Sequence, residues 1–144
     1  MSLTVLLIIL AMLLLNGIFA AYELALASVR AERLKHMVEQ RRRGAVIALR
    51  MKNRMEASLA VVQLGITLVG AIAAATGGAD AKDKLVPLIK DQLGLSPHLA
   101  NIVALTCLVI PLAAITIIVG ELIPKVFALK NSELVVTLLS PLMW

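Results

Sequence analysis

The sequence predicts an all-α membrane protein: three transmembrane helices plus amphipathic cytoplasmic and juxtamembrane helices. Three observations carry that class. Hydrophobic residues make up 60% of the 144, and mean hydropathy is +0.95, against an apolar share of about 45–50% in soluble domains. The apolar residues gather in three runs, each long enough for the roughly 20-residue helix that crosses a bilayer. The formal charge of +5 is concentrated in one segment between the first two runs. The excess apolar character is aliphatic, since the chain has only two Phe, one Tyr and one Trp.

The first run spans about residues 3–28. It lacks a basic n-region, is long for a signal-peptide core, and continues without a turn signal through "YELALASVR", so it reads as a retained helix. Residues 29–56 form a basic helical segment. Arg30, Arg33, Lys35, Arg41, Arg42, Arg43, Arg50, Lys52 and Arg54 outweigh Glu32, Glu39 and Glu56. Leu34, Met37, Val38, Val46, Leu49 and Met55 give this segment an amphipathic pattern. The second run covers about 57–76. Its Gly65, Gly70, Ala71, Ala73, Ala74 and Ala75 offer small faces for helix contacts or a dimer.

Residues 77–98 are expected to form an outer loop. Lys82, Lys84 and Lys90 are balanced there by Asp80, Asp83 and Asp91. Leu85, Val86, Leu88, Ile89 and Leu93 are spaced for a short interfacial helix. The third run, about 99–129, is the longest, and Pro111 and Pro124 predict a kink in it. After Asn131, "SELVVTLLSPLMW" (132–144) reads as an amphipathic juxtamembrane helix with Ser132 as its N-cap. The chain is read as a single domain, 1–144, that stops at Trp144 without a polar tail, as a truncated or lone module would.

Cytoplasmic loops of membrane proteins carry the excess Lys and Arg. The basic segment is therefore assigned to the cytoplasm, which puts the N-terminus outside a cell (inner) membrane crossed three times. The positive charge then reads as a topology determinant and a contact for lipid headgroups, with no nucleic-acid partner. Cys107 is the only cysteine, which excludes an internal disulfide or a multi-cysteine metal site. His36 and His98 are isolated outside the spans. No nucleophile–base pair or phosphate loop is present, so the protein is not expected to be an enzyme.

Ionisable groups inside a bilayer are costly and suggest function. Counted from the cytoplasmic ends at about 1.5 Å per residue, Glu23, Gln63 and Glu121 fall in one layer roughly 8–12 Å deep. Asn16 and Thr67 fall roughly 15–18 Å deep. The two levels suggest a polar cleft open to the cytosol. "GELIP" adds a main-chain oxygen to it. Pro124 cannot supply the N–H that the Gly120 carbonyl would accept in a helix, so a freed carbonyl lies beside the Glu121 carboxylate. Hard cations such as Mg²⁺ and Na⁺ bind oxygens of this kind. Lys125 is placed to neutralise the acid or to snorkel. Alternatives remain for each group: Glu121 reaching water, Glu23 pairing with Arg30 or Lys125, and Gln63, Thr67 and Thr116 serving as interhelical hydrogen bonds.

Three stretches, "LNGIFAAYELALASVRAERL", "VVQLGITLVG" and "VGELIPKVFAL", occur in an order and spacing that resemble the transmembrane domain of the CorC and cyclin M (CNNM) family of magnesium transporters. The resemblance covers essentially the whole chain, and Gly-Glu-x-x-Pro-Lys is its most specific part. It implies a homodimer, a cytoplasmic CBS pair beyond this domain, and Na⁺-linked Mg²⁺ export. It also implies an ion held by the glutamate at Glu121, with Gly120 as carbonyl donor and Asn16 as a polar position of the first helix. The chain has Ala20-Ala21 where magnesium-type members commonly have Ser-Gly. It has Gly65-Ile66 where they have Gly-Asn, and Gly70 where a second Asn is frequent. "QLGITL" resembles the haemolysin-like bacterial branch. Gln63 and Thr67 are the candidates to replace the missing oxygens. The expected function is export of divalent cations, Mg²⁺ first. Its rivals are export of an organic cation such as a polyamine, and a non-transporting dimeric anchor for a regulatory domain.

Overall fold

The computed structural model describes residues 3–93 and 96–144, and all of its regular structure is helical. Three helical stretches are long and apolar enough to cross a membrane: Leu3–Ser28, Met55–Ala79 and His98–Lys130. They match the three predicted runs to within a few residues. Helix α1 is Leu3–Ser28. Two short helices follow, α2 (Ala31–Glu39) and α3 (Ala45–Asn53), and then the long α4 (Met55–Leu93). The third span comprises α5 (Pro97–Ile117), a π-helical turn (Ile118–Leu122) and α6 (Ile123–Lys130), after which α7 (Ser132–Met143) closes the chain.

The spans keep little of themselves inside the protein. Leu6, Leu10 and Leu14 on α1, Val61, Leu64 and Leu68 on α4, and Ile110, Ile115 and Ile117 on α5 are all exposed, as befits side chains whose solvent is hydrocarbon. The packed core lies instead at the basic end of the bundle. Tyr22, Leu26, Leu34, Met37, Val136 and Ser140 are fully buried there. Leu34 and Met37 are the apolar face foreseen for α2, whereas α3 buries Ala45, Ala48 and Met51 and leaves Val46 exposed. The Tyr22 hydroxyl joins three elements, lying 2.9 Å from Met51 Sδ and 3.0 Å from Ser140 Oγ.

Helices α2 and α3 form a hairpin rather than one continuous helix, because Arg41 (φ 55°) and Gly44 (φ 77°) turn the chain. Lys52 ties α3 to α1 by donating from Nζ to the Leu26 and Ala27 carbonyls at 2.8 and 3.0 Å. These carbonyls belong to the last turn of α1 and have no partners within the helix. Burial lowers the Lys52 pKa from the ordinary lysine value. Arg33 Nε reaches Glu133 Oε1 at 2.6 Å, and Arg50 lies 5.1 Å from the Trp144 ring centroid, so both ends of α7 are held against the hairpin. Helix α7 buries Val135, Val136 and Ser140 and exposes Leu134, Leu138 and Leu142. That is the amphipathic pattern expected of a helix lying along a membrane face.

Two expectations change. Ser132 is the first residue of α7, not its cap. The cap position is Asn131, whose side chain points back to donate to the Phe127 carbonyl at 3.1 Å. The helix expected within the outer segment is not separate from the second span, since α4 runs without a break through Gly77-Gly78 and Pro87 to Leu93. The balanced lysines and aspartates of this stretch, with Leu85, Leu88 and Leu93, have side chains outside the described residues.

Candidate functional site

The third span changes its winding where the sequence frees a carbonyl. The Ile123 N–H bonds to the Ile118 carbonyl, an i to i+5 closure that makes Ile118–Leu122 a π-helical turn. Pro124 sits just inside α6 and has no N–H to donate. The Gly120 carbonyl is not left open, however. Asn16, only 5% exposed on α1, donates from Nδ2 to it at 3.0 Å. Gly120 permits this approach. A Cβ there would lie 2.8 Å from Leu13 Cδ1 and 3.4 Å from Asn16 Nδ2. A single-turn π distortion of this kind is frequent at functional sites.

One residue on, the charged part of the site begins. Glu121 Oε1 lies 2.6 Å from Lys125 Nζ, one helical turn later, and the same ammonium lies 3.3 Å from Glu23 Oε2 on α1. The Lys125 and Glu23 side chains are each 27% exposed and that of Glu121 is 42% exposed. Glu23 and Glu121 thus share a level, as the count along the helices indicated. Asn16 lies about two turns deeper than Glu23 along α1, and there it meets Gly120.

Beside Asn16 is a recess of about 10 Å³, bordered by Met12, Leu13, Val69, Gly70 and Thr116. That is room for about one water-sized sphere. Thr116, which the sequence suggested only as interhelical glue, borders this recess. Gln63 and Thr67 are on an exposed face of α4 with Val61, Leu64 and Leu68. The Thr67 hydroxyl donates to the Gln63 carbonyl at 2.9 Å. Among the described residues, neither makes a hydrogen bond to Asn16 or Glu121. The chain therefore brings Asn16, Gly120 and Glu121 together and leaves Gln63 and Thr67 apart. Glu23 and Lys125 complete the cluster, and the i, i+4 spacing of Glu121 and Lys125 was the signal for the second of them.

Among the described residues, no group of three or more His, Cys, Asp or Glu side chains could hold a metal ion. The cluster offers two carboxylates, an amide and a main-chain oxygen, with Lys125 set between the carboxylates.

Residues 7–144 match the CNNM family, described as the cyclin M transmembrane N-terminal domain. The chain is 35% identical over 129 residues to the UPF0053 protein sll0260 of Synechocystis, covering 90% of this chain and 29% of that protein. It is 35% identical over 136 residues to the uncharacterized protein Rv1841c of Mycobacterium tuberculosis, covering 93% of this chain and 38% of the relative. With the UPF0053 protein YhdP of Bacillus subtilis it shares 25% identity over 145 residues, covering 100% of this chain and 32% of the relative. The chain thus spans about a third of the length of these relatives. With its three spans, its Gly-Glu-x-x-Pro-Lys turn and a match along nearly its full length, the chain belongs to the CNNM family of cyclin M-type transmembrane domains.

Proposed function

We propose that this domain exports divalent cations, Mg²⁺ foremost, from the cytoplasmic side of a cell membrane in exchange for Na⁺. It works as a homodimer whose full-length form carries a cytoplasmic CBS pair. The observation that carries the reading is the gathering of the Glu121 and Glu23 carboxylates on one ammonium, that of Lys125, within the spans and one residue from the Asn16–Gly120 contact. A carboxylate held inside a membrane is costly and is rarely kept without a task. Mg²⁺ dehydrates reluctantly and is usually held by one or two carboxylates with several retained waters. Glu121 supplies charge, Glu23 a second carboxylate at the same level and Asn16 an amide oxygen further in, while the Gly120 carbonyl, which accepts from Asn16, has a second lone pair to offer. Glu121 is 42% exposed, so the protein does not enclose its carboxylate.

Glu121→Ala in proteoliposomes loaded with Mg²⁺ tests the reading. Efflux is expected to be lost while membrane insertion and folding persist; unchanged efflux would remove the ion-export reading. An organic cation is the second reading, and one observation favours it. The carboxylates already accept an ammonium, that of Lys125, at 2.6 and 3.3 Å. Putrescine competing with Mg²⁺ for the purified protein, and moving in its place, would select that cargo.

A further inference from the structure

The site contains a cation of its own, and its position has a consequence for any cargo. Lys125 Nζ is 2.6 Å from Glu121 Oε1 and 3.3 Å from Glu23 Oε2. A Mg²⁺ coordinated by that Glu121 oxygen would sit about 2.0–2.1 Å from it. The ion and the ammonium would then be near neighbours of like charge, with little bulk water between them to screen the repulsion. Bound to the same oxygen, the two cations would repel each other and compete for it.

We propose that Lys125 is a tethered counter-cation. It neutralises the Glu23–Glu121 pair between transport events, and the incoming divalent cation displaces it, still charged, toward the headgroup layer. The inference rests on the cation-export reading and adds a specificity-determining residue to it. Three features support displacement over a fixed ion pair. The Lys125 side chain is 27% exposed, so the protein does not enclose its ammonium. It stands within the last two turns of α6, which ends at Lys130, and a four-carbon stem can carry its charge outward from there. Lysine is a compact, rotatable point charge, whereas an arginine fork would grip both carboxylates in fixed geometry. The competition also answers a requirement of transport, since a site must bind well enough to fill and weakly enough to empty.

The merely structural alternative is a staple between α1, which carries Glu23, and α6. Titration of the nanodisc-embedded protein with Mg²⁺ alone, by calorimetry at fixed ionic strength, separates the two. Removing the ammonium frees the Glu121 oxygen and takes away a like charge beside the incoming ion. Lys125→Gln is therefore expected to bind Mg²⁺ about tenfold or more tightly. In proteoliposomes the same variant should show a lower KM and a lower kcat, because release becomes slow. Glu23→Gln should bind more weakly than wild type, and Glu23→Gln/Lys125→Gln should recover affinity relative to Glu23→Gln. This last comparison decides the matter if Lys125→Gln alone does not fold. Unchanged or weaker binding in Lys125→Gln, or no recovery in the double variant, overturns the counter-cation. Absence of Mg²⁺ binding in the wild-type protein overturns the export reading, and the inference with it.

Discussion

At the scale of single residues, the decisive contact is between Asn16 and the Gly120 carbonyl. A buried carbonyl without a partner costs about 1–3 kcal/mol. Side-chain hydrogen bonds measured within membranes average about 0.6 and reach about 1.7 kcal/mol. Asn16→Leu keeps the volume and removes the donor, so it is expected to destabilise the protein by about 1–2 kcal/mol. Unfolding from mixed micelles by increasing SDS measures this, and an unchanged midpoint would mean that the π turn satisfies its own carbonyl. Half of this contact was legible in the sequence, because proline's missing N–H announces an orphan acceptor four residues earlier. The donor was not. Helical rise gives the height of Asn16 along its own axis, but the tilt and slide of α1 against the third span are set by packing. The same limit explains Gln63 and Thr67. Their spacing of four puts them on one face of α4, yet spacing does not say which neighbour that face meets.

At the scale of elements, the three spans were readable because hydrocarbon selects length and composition so strongly. The connections were less so. The basic segment carries a continuous amphipathic pattern, and the turn that splits it depends on backbone angles at Arg41 and Gly44. A run of three arginines before a glycine gives no clear turn signal. In α4, Gly77-Gly78 suggested a loop, but two glycines cost a helix only about 1 kcal/mol each, and the chain remains helical through them. Gly44 is the glycine on which the architecture depends. Its φ is 77°, and a Cβ there would collide with the Thr137 carbonyl of α7. Gly44→Ala is expected to loosen the hairpin from α7 at a cost of about 1–2 kcal/mol or more. The Arg41–Arg43 turn should then be cut faster by trypsin. Gly78→Ala, whose Cβ would meet nothing within 4 Å, should leave the cleavage rate unchanged. Equal rates in the two variants would show that α7 does not depend on the Gly44 contact.

At the scale of the whole molecule, the packing is inverted relative to a soluble domain. The fully buried side chains cluster where α1, α2, α3 and α7 meet, and the long helices present Leu, Ile and Val outward. The site lies between these regions, with Glu121 and Lys125 partly exposed toward the basic end and Asn16 buried further in. That arrangement suits a cleft entered from the side of the α2–α3 hairpin, and the charge bias of the hairpin predicts that this side is cytoplasmic. The prediction can be read from thiols. Cys107 is exposed on α5 within the third span, so the neighbour of its thiol is lipid. A membrane-impermeant maleimide should fail to label it in intact cells or in inverted vesicles, and should label it once detergent replaces the bilayer. In a Cys107→Ala background, Gln40→Cys, at the exposed end of α2, should be labelled in inverted vesicles and protected in intact cells. Labelling of that cysteine in intact cells would reverse the orientation, and with it the side from which Glu121 receives its cation.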